Sequence, residues 1–344
     1  MTNEERKQKS ECAQPGNPAP HSRTEARSLF GHYTFIDYAT QGYMALVGLI
    51  LLCFHGHSIP FWPLLLAAHL AGIVLVHALI RLHANRPSNR ALDLLRHFYP
   101  MLLYTGLYCE TGELNHLFVA GYLDSFFIRA EGRIFGFQPS LAFMNWLPRP
   151  AVSEVFYAAY FSYYVMLAGV GAALYRRNRG QFFHYLSVIS LLFYVCYLLY
   201  IFLPVEGPQI FFHQNPDHPL PEGVGPLESP RYPPAVAAGL FFRIMAWIYR
   251  TFETPGAAFP SSHVAVAIGT VCFSFRYLRP IRWAHLVVVV LLCLATVYCH
   301  YHYAVDVVAG GLMAAALIPL GNRLYFKFRT AADPEPPPGG SDAS

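Results

Sequence analysis

The chain has 344 residues, of which 55% are hydrophobic and only 13% are charged. A soluble domain of this length carries far more charge, so the composition excludes an ordinary soluble enzyme and indicates a protein that crosses a membrane several times. The net charge of +4 is small and lies at the ends of the apolar runs, which points to membrane orientation and not to nucleic acid as a partner.

The two ends of the chain differ in composition from the rest. Residues 1–30 mix Arg, Lys, Glu, Pro and Ser, and residues 331–344 are rich in Pro, Gly and Asp. Neither segment can build a core, so both are predicted to be disordered. We therefore expect one membrane domain over residues 31–330, with its motif-bearing core at about 182–323.

Eight apolar runs lie between these ends. Each is close to the roughly 20 residues that a helix needs to cross a bilayer, so the sequence predicts an all-α bundle of about eight transmembrane spans. The third run is the weakest, because polar residues that include Glu110 and Glu113 interrupt its end. The runs lie near 35–54, 61–80, 98–116, 152–175, 182–203, 260–278, 283–302 and 305–323.

The lysines and arginines support this count. With a cytoplasmic N-terminus and eight spans, 18 of the 24 basic residues fall in inner segments, as the positive-inside rule requires. Both termini are then inside, and the segments 117–150 and 204–259 are outside. Their aromatic stretches are expected to form short interfacial helices beside a Pro-rich loop at 216–234.

Glu110 and Glu113 leave two interpretations open. Carboxylates at the end of a span are often solvated, whereas those inside a span usually have a function. Either residue could contact a headgroup or an acceptor.

A polar cluster opens the sixth apolar run, where the sequence reads TPGAAFPSSH and ends at His263. Pro260 suits the first turn of a helix, and Ser261 and Ser262 can cap it. Backbone N–H groups and the positive end of the helix dipole would then be free to bind an anion such as phosphate. Taken alone, the stretch could also be only a capped helix start.

A second polar cluster, HYHYAVD, begins at His300, two spans later. The basic turn between those spans cannot stay in hydrocarbon, so both clusters are expected at the same membrane face. If the stretch is helical, His302 and Asp306 share a face, and the carboxylate could hold one ring nitrogen protonated while the other attacks. His263 could then protonate a leaving oxygen. A metal site is the competing interpretation, but it leaves the anion-binding helix start unexplained.

Together, FPSSH and HYHYAVDVVAG resemble the second and third signature motifs of the type 2 phosphatidic acid phosphatase superfamily. The second motif reads PSGH. The third reads SR, then any five residues, then HxxxD. The resemblance implies phosphoryl transfer without a metal or cofactor. It implies that His302 attacks phosphorus with Asp306 as its partner, that His263 is the general acid and that Ser261 binds phosphate. The preceding ATVY and Tyr303 are similar to the inositol phosphorylceramide synthase branch and its bacterial relatives.

The sequence departs from the superfamily pattern at phosphate-binding positions. Many bacterial relatives have Arg where this chain has Gln209 and His300, and Gly where it has Ser262. Ala295 and Thr296 replace the SR pair. Because neither Gln nor neutral His can replace the charged fork of Arg, we expect these residues to bind substrate with weaker or rearranged phosphate contacts.

These observations predict a membrane lipid as the substrate, and phosphoryl transfer at the outer face, most simply of a bacterial inner membrane. Water as acceptor makes the protein a phosphatase, and a lipid hydroxyl makes it a headgroup transferase. A non-catalytic lipid-binding protein of the same fold is the third interpretation. Arg231, Arg243 and Arg250 are candidates to replace the missing charge.

Overall fold

A computed structural model describes residues 30–56, 59–212 and 232–335. Within these ranges the chain forms thirteen α-helices and a 3-10 turn at Arg279–Ile281. The helices are α1 (Phe35–Phe54), α2 (Trp62–Asn85), α3 (Arg90–Leu114), α4 (Asp124–Phe135), α5 (Pro139–Trp146), α6 (Pro150–Arg177), α7 (Arg179–Phe202), α8 (Pro208–Phe211), α9 (Pro234–Ala237), α10 (Leu240–Phe252), α11 (Ser262–Tyr277), α12 (Arg282–Tyr298) and α13 (Ala304–Phe328).

Six of the described helices are long and apolar enough to cross a membrane: α1, α2, α6, α7, α12 with its preceding turn, and α13. The all-α membrane bundle predicted from the sequence is confirmed. Two predicted spans differ from these six. Helix α3 carries several charged residues, and α11 has 16 residues, about 24 Å of helix against a hydrocarbon core of about 30 Å. The count of eight spans stays a prediction.

Helix α7 lies at the centre of the bundle. It packs against α1, α3, α6, α11 and α13. Most of its side chains are buried, as expected for a helix that is apolar on every side. The helices around α7 run up and down, so the bundle has two ends. We call the end that holds the starts of α1, α3 and α7 the basic end, and the opposite end the site end.

Short helices surround the site end, as the sequence predicted for its outer segments. Helices α4 and α5 fall in the first of these segments and α10 in the second. Helix α10 leaves Leu240, Trp247 and Phe252 exposed. Most of the predicted Pro-rich loop, its residues 216–231, lies outside the described residues.

The ordered chain extends beyond the predicted domain boundary at residue 330. Asp333 is buried and accepts the backbone N–H of Phe35 at 2.9 Å, which ties the end of the chain to the start of α1. The first residues of the predicted disordered tail are therefore packed. Residues 1–29 and 336–344 lie outside the described residues, and their disorder stays a prediction.

Candidate active site

Helix α11 begins at Ser262, two residues after Pro260, which the sequence placed in the first turn. Ser261 is the N-cap, and its side chain accepts the N–H of Val264 at 3.3 Å. Pro260 therefore precedes the cap and does not occupy the first turn, which corrects the prediction. The N–H of Ser262 donates to the Tyr200 hydroxyl at 3.3 Å. Two of the N–H groups expected to be free thus already have acceptors, so the helix start offers less to an anion than the sequence suggested.

His302 lies before α13 and not on it, so the argument from a shared helix face does not apply. The short turn after α12 still brings its Nδ1 to 3.5 Å from Asp306 Oδ2. A shorter bond, at 3.0 Å, joins the same Nδ1 to the carbonyl oxygen of Ala258. A carbonyl only accepts, so Nδ1 carries the proton and Nε2 is the unprotonated nitrogen. The carbonyl orients the ring, and Asp306 places a carboxylate beside it.

The His302 ring is almost fully enclosed, with 3% of the residue exposed. Burial lowers its pKa to about 4, and the bond to the Ala258 carbonyl offsets part of that effect. The imidazole is therefore neutral at pH 7, the state in which Nε2 can act as a nucleophile.

His263 meets His302 at the site end, as the two-span interval predicted. The ring centroids are 5.7 Å apart. Tyr160 and Tyr163 pack against the His263 ring at 5.0 and 4.5 Å. In the described part of the chain, His263 Nδ1 is buried and has no hydrogen-bond partner. The ring is thus held by packing and keeps its polar atoms available for a reacting oxygen.

A loop after α7 holds the Ala258 carbonyl in place. Val205 pairs with Ala257 in a parallel bridge, in which the Val205 N–H donates to the Gly256 carbonyl and the Ala258 N–H donates to the Val205 carbonyl. Gly207 has a φ of 86°, and a Cβ there would lie 3.0 Å from the Tyr301 carbonyl oxygen. Only glycine fits this close left-handed turn.

Asp124 of α4 fixes the same loop from the other side. Its carboxylate accepts the N–H groups of Glu206 and Gly207, each at 2.9 Å. It also accepts the Tyr303 hydroxyl at 2.9 Å. One buried carboxylate therefore positions both the loop that orients His302 and the residue that follows His302.

The start of α13 is held by two more carboxylates. Asp306 accepts the N–H of Tyr303 at 2.9 Å, and Glu131 of α4 accepts the N–H of Ala304. The Asp306 carbonyl accepts the N–H of Ser261 at 3.2 Å. A Cβ at Gly310 would lie 2.5 Å from the Ser261 carbonyl oxygen, so glycine permits this close packing of α13 on the start of α11.

Residues 126–320 match the family profile of the PAP2 superfamily. The chain belongs to this superfamily. The predicted superfamily is confirmed, and phosphatases and phosphotransferases make up most of it. Among curated proteins and among solved structures, no significant match was found. The match begins in α4, so the PAP2 region extends further toward the N-terminus than the predicted core of 182–323.

Two cavities of this PAP2 protein approach the histidines. The larger, of about 1280 Å³, is lined by Gln209, Arg243 and Arg250 among aromatic side chains. The smaller, of about 430 Å³, is mostly aromatic and apolar and reaches Ser262 and His263. Both are bordered by Trp247, Tyr249 and Glu253 of the α10 region.

A stack of tyrosines lies between the larger cavity and the histidines. Tyr301 lines that cavity and stacks on Tyr249 with ring centroids 4.0 Å apart. Tyr301 also packs against Tyr160, which contacts His263. An aromatic wall therefore separates the larger cavity and its arginines from His263.

The other predicted binding residues lie at different depths. Gln209 is half-buried at the larger cavity, whereas His300 is buried and its ring stacks on Tyr232 with centroids 5.5 Å apart. His300 also has a φ of 64°, since it turns the chain between α12 and α13. Arg231 lies outside the described residues. A substrate-binding role for Gln209 and His300 stays a prediction.

The two carboxylates of α3 lie apart from the cavities just described. Glu110 pairs with His69 of α2 at 2.7 Å, and Glu113 is exposed. Neither residue lines either cavity. Among the described residues, no three His, Cys, Asp or Glu side chains are grouped as a metal site.

Sequence reasoning missed the residues that support the PAP2 motifs from a distance. Asp124, Glu131 and Tyr200 have no motif of their own. One signal was present: Asp124 and Glu131 are seven residues apart, so on a helix they share the face that carries Phe127 and Ile128. Carboxylates on the apolar face of a helix indicate a buried polar contact.

Proposed function

We propose that this PAP2 protein transfers a phosphoryl group from a membrane lipid phosphoester, with His302 as nucleophile, His263 as general acid and Asp306 as a charge partner. The observation that carries the proposal is the fixed tautomer of His302. Its Nδ1–H is held by the Ala258 carbonyl, so the lone pair of Nε2 is available beside the His263 ring.

In this proposal the two histidines carry out the reaction in two steps. Nε2 of His302 attacks phosphorus, and the phosphorus–oxygen bond to the leaving alcohol breaks. His263, which takes up a proton when the anionic phosphate binds beside it, gives the leaving oxygen that proton. The resulting phosphohistidine keeps Nδ1–H and is cationic, so the nearby carboxylate of Asp306 stabilises it. Neutral His263 then takes a proton from the acceptor, whose oxygen attacks phosphorus and releases His302.

The phosphate contacts come from several weak donors. Ser261 and Ser262 lie at the helix start, and Gln209 lines the neighbouring cavity with Arg243 and Arg250. In this proposal the two arginines bind the headgroup and replace the arginines that relatives carry at Gln209 and His300. A site of this kind suits a phosphodiester better than a doubly charged phosphomonoester.

A headgroup transferase like the inositol phosphorylceramide synthase branch is the second candidate. The observation that favours it is the second cavity. A hydrolase needs one lipid site and water, whereas a transferase needs room for an acceptor alcohol with an apolar tail. The aromatic cavity that reaches His263 offers such a place beside the arginine-lined one.

The test is purified protein in detergent with a panel of lipid phosphomonoesters and phosphodiesters, in which phosphate release and new lipid products are both measured. His302→Ala should abolish any activity, and His32→Ala, at an exposed position, is the matched control. Phosphate release alone indicates a phosphatase, and a new lipid headgroup indicates a transferase. Absence of both with every lipid would support the non-catalytic interpretation.

The proposal places the site at the outer face of a bacterial inner membrane, because most basic residues of the described helices lie at the basic end. An impermeant thiol reagent on intact cells tests this, in a background without native cysteines. A cysteine at the exposed Phe137 position should react, and one at the exposed Pro280 position should not. The opposite pattern would reverse the orientation.

A further inference from the structure

Three buried carboxylates surround the start of α13. Asp124, Glu131 and Asp306 are each completely enclosed. In the part of the chain that the structure describes, no lysine or arginine forms an ion pair with any of them. Their donors are N–H groups and one hydroxyl, supplemented by the positive end of the α13 dipole. Three full negative charges in one enclosed place are unfavourable, so at least one group should hold a proton.

Glu131 and Asp306 are less well satisfied than Asp124. Asp124 accepts three hydrogen bonds, and Asp306 accepts the Tyr303 N–H with His302 close by. Glu131 accepts the Ala304 N–H through Oε1. Its Oε2 and Asp306 Oδ1 are both buried without a hydrogen-bond partner among the described atoms, but Asp306 also has His302 Nδ1 at 3.5 Å. A buried oxygen of this kind is far less costly as part of a neutral carboxyl than as part of an anion.

The electrostatics agree with this assignment. Burial raises the pKa of Glu131 to about 8, and the negative charge of Asp306 contributes in the same direction. Burial also raises the pKa of Asp124, but three donors act against that effect. Burial also raises the pKa of Asp306 well above its usual range, so the cluster holds a proton at pH 7, and the charge of Asp306 favours its residence on Glu131.

We propose that Glu131 is a positioning residue that stays protonated in the working enzyme and thereby keeps Asp306 ionised beside His302. The role rests on the proposed phosphoryl transfer. Oε1 still accepts the Ala304 N–H when the carboxyl is neutral, so the residue two positions after His302 stays fixed. When Glu131 ionises, its proton goes to solvent, the two carboxylates repel each other, and Asp306 moves away from His302. The phosphohistidine then loses its counter-charge and turnover falls.

The titratable groups around Glu131 are few. Asp306 and Tyr303 face it from the start of α13, and Asp124 lies on its own helix. Burial raises the pKa of Tyr303 well above that of a free tyrosine, so Tyr303 does not titrate near pH 8. A loss of activity near pH 8 that depends on residue 131 therefore reports the Glu131 carboxyl.

The experiment compares the wild type with Glu131→Gln, which is neutral at every pH and keeps an acceptor for the Ala304 N–H. Infrared titration should show a protonated carboxyl in the wild type that disappears with a midpoint near pH 8 and is missing in the variant. Wild-type turnover should fall about tenfold between pH 7 and pH 9, since about one tenth of the groups stay protonated one unit above the pKa. Glu131→Gln should keep at least half of the turnover at pH 7 and lose this alkaline decline.

The matched control is Glu154→Gln. Glu154 also accepts backbone N–H groups at the start of another helix, those of Phe241 and Phe242 in α10. The control should keep both the infrared band and the alkaline decline. The proposal is overturned if Glu131→Gln keeps the wild-type decline, if it is inactive at every pH, or if no carboxyl titrates near pH 8. If the wild type turns over no lipid, the proposed function fails, and the infrared titration still decides the protonation of Glu131.

Discussion

The carboxylates of the bundle's helices have different partners at its two ends. At the basic end, Asp37 is paired with Arg96 and also accepts the Tyr99 hydroxyl at 2.7 Å. Nearby, Asp93 pairs with Arg179 at 3.0 Å. At the site end, Asp124, Glu131 and Asp306 receive hydrogen bonds but no such cation within the described ranges.

The carboxylates that pair with arginine stabilise the fold, whereas the carboxylates without such a partner can interact with charge that forms during the reaction. A carboxylate that already has a guanidinium gains little from a second cation, so Asp37 and Asp93 are electrostatically satisfied. At the site end the negative charge is unpaired until a cationic imidazole forms on His302. The arginines there line a cavity instead, where a headgroup can reach them. Changes at the two ends should therefore affect different quantities.

The largest expected effect is on turnover at the site end. His302→Ala, Asp306→Asn and His263→Ala should each lower kcat by about 10³-fold, the scale of losing a nucleophile or a general acid. Because the groups act as one unit, the double variant His302→Ala with Asp306→Asn should be no worse than His302→Ala alone. Single-turnover kinetics on the best lipid substrate measure this. Defects that multiply in the double variant would show that the two residues act separately.

The next effect is on stability at the basic end. Arg96→Met leaves Asp37 buried without its cation and should cost about 3–5 kcal/mol of unfolding free energy. Asp306→Asn at the site end removes a charge that has no cation, so it should cost much less. Thermal unfolding of both variants in the same detergent gives the comparison. Equal losses at the two ends would contradict the distinction drawn between them.

The meeting of the two PAP2 histidines could be predicted from the sequence, because it follows from two adjacent antiparallel spans and a turn. The hydrogen-bond partner of His302 Nδ1 could not be predicted from the sequence. Ala258 is 44 residues away and contributes a backbone carbonyl, which no side-chain pattern reveals. Its position depends on the bridge from Val205 and on Asp124, a contact between separate segments.

Rules based on local sequence were incomplete at two places, the third apolar run and the start of α11. Helix α3 carries buried charge at the basic end, since Arg96 pairs with Asp37, so its hydropathy falls below that of the six clear spans. Pro260 fits the first turn by propensity, but the Ser261 side chain caps one residue later. In α3 a tertiary ion pair outweighs hydropathy, and at the start of α11 a side-chain cap outweighs the preference of proline for the first turn.

A smaller effect on turnover is expected when the pH is lowered. The pKa of His302 is lowered to about 4 by burial, so Nε2 stays unprotonated down to that pH and loses its lone pair below it. The acid limb of kcat/KM should thus fall near pH 4, about two and a half units below that of a solvent-exposed histidine, with about tenfold lost per further unit. A pH profile in a non-titrating detergent measures it. A limb near pH 6.5 would mean that the ring is solvated in the working enzyme.

The smallest effect on activity is expected at Gln209, a position at which many bacterial relatives carry arginine. Gln209 lines the cavity with Arg243 and Arg250, so Gln209→Arg adds a third guanidinium that can reach a headgroup. If the chain has a weakened monoesterase site, this change should raise phosphomonoester hydrolysis about tenfold, for a gain of roughly 1.4 kcal/mol. If the site is adapted to a less charged phosphodiester, monoester hydrolysis should change little and diester transfer should decline.

We expect the second outcome, because two arginines already supply charge to the cavity, and because the His300 position is enclosed against Tyr232, where added charge would be buried. Gln209→Met, which removes the amide without adding charge, separates the loss of Gln209 from the gain of Arg. His300→Arg should mainly lower stability, since a buried guanidinium without a carboxylate partner is costly. Strong monoester hydrolysis by Gln209→Arg, with Gln209→Met unchanged, would show a phosphatase site that lacks only its cation.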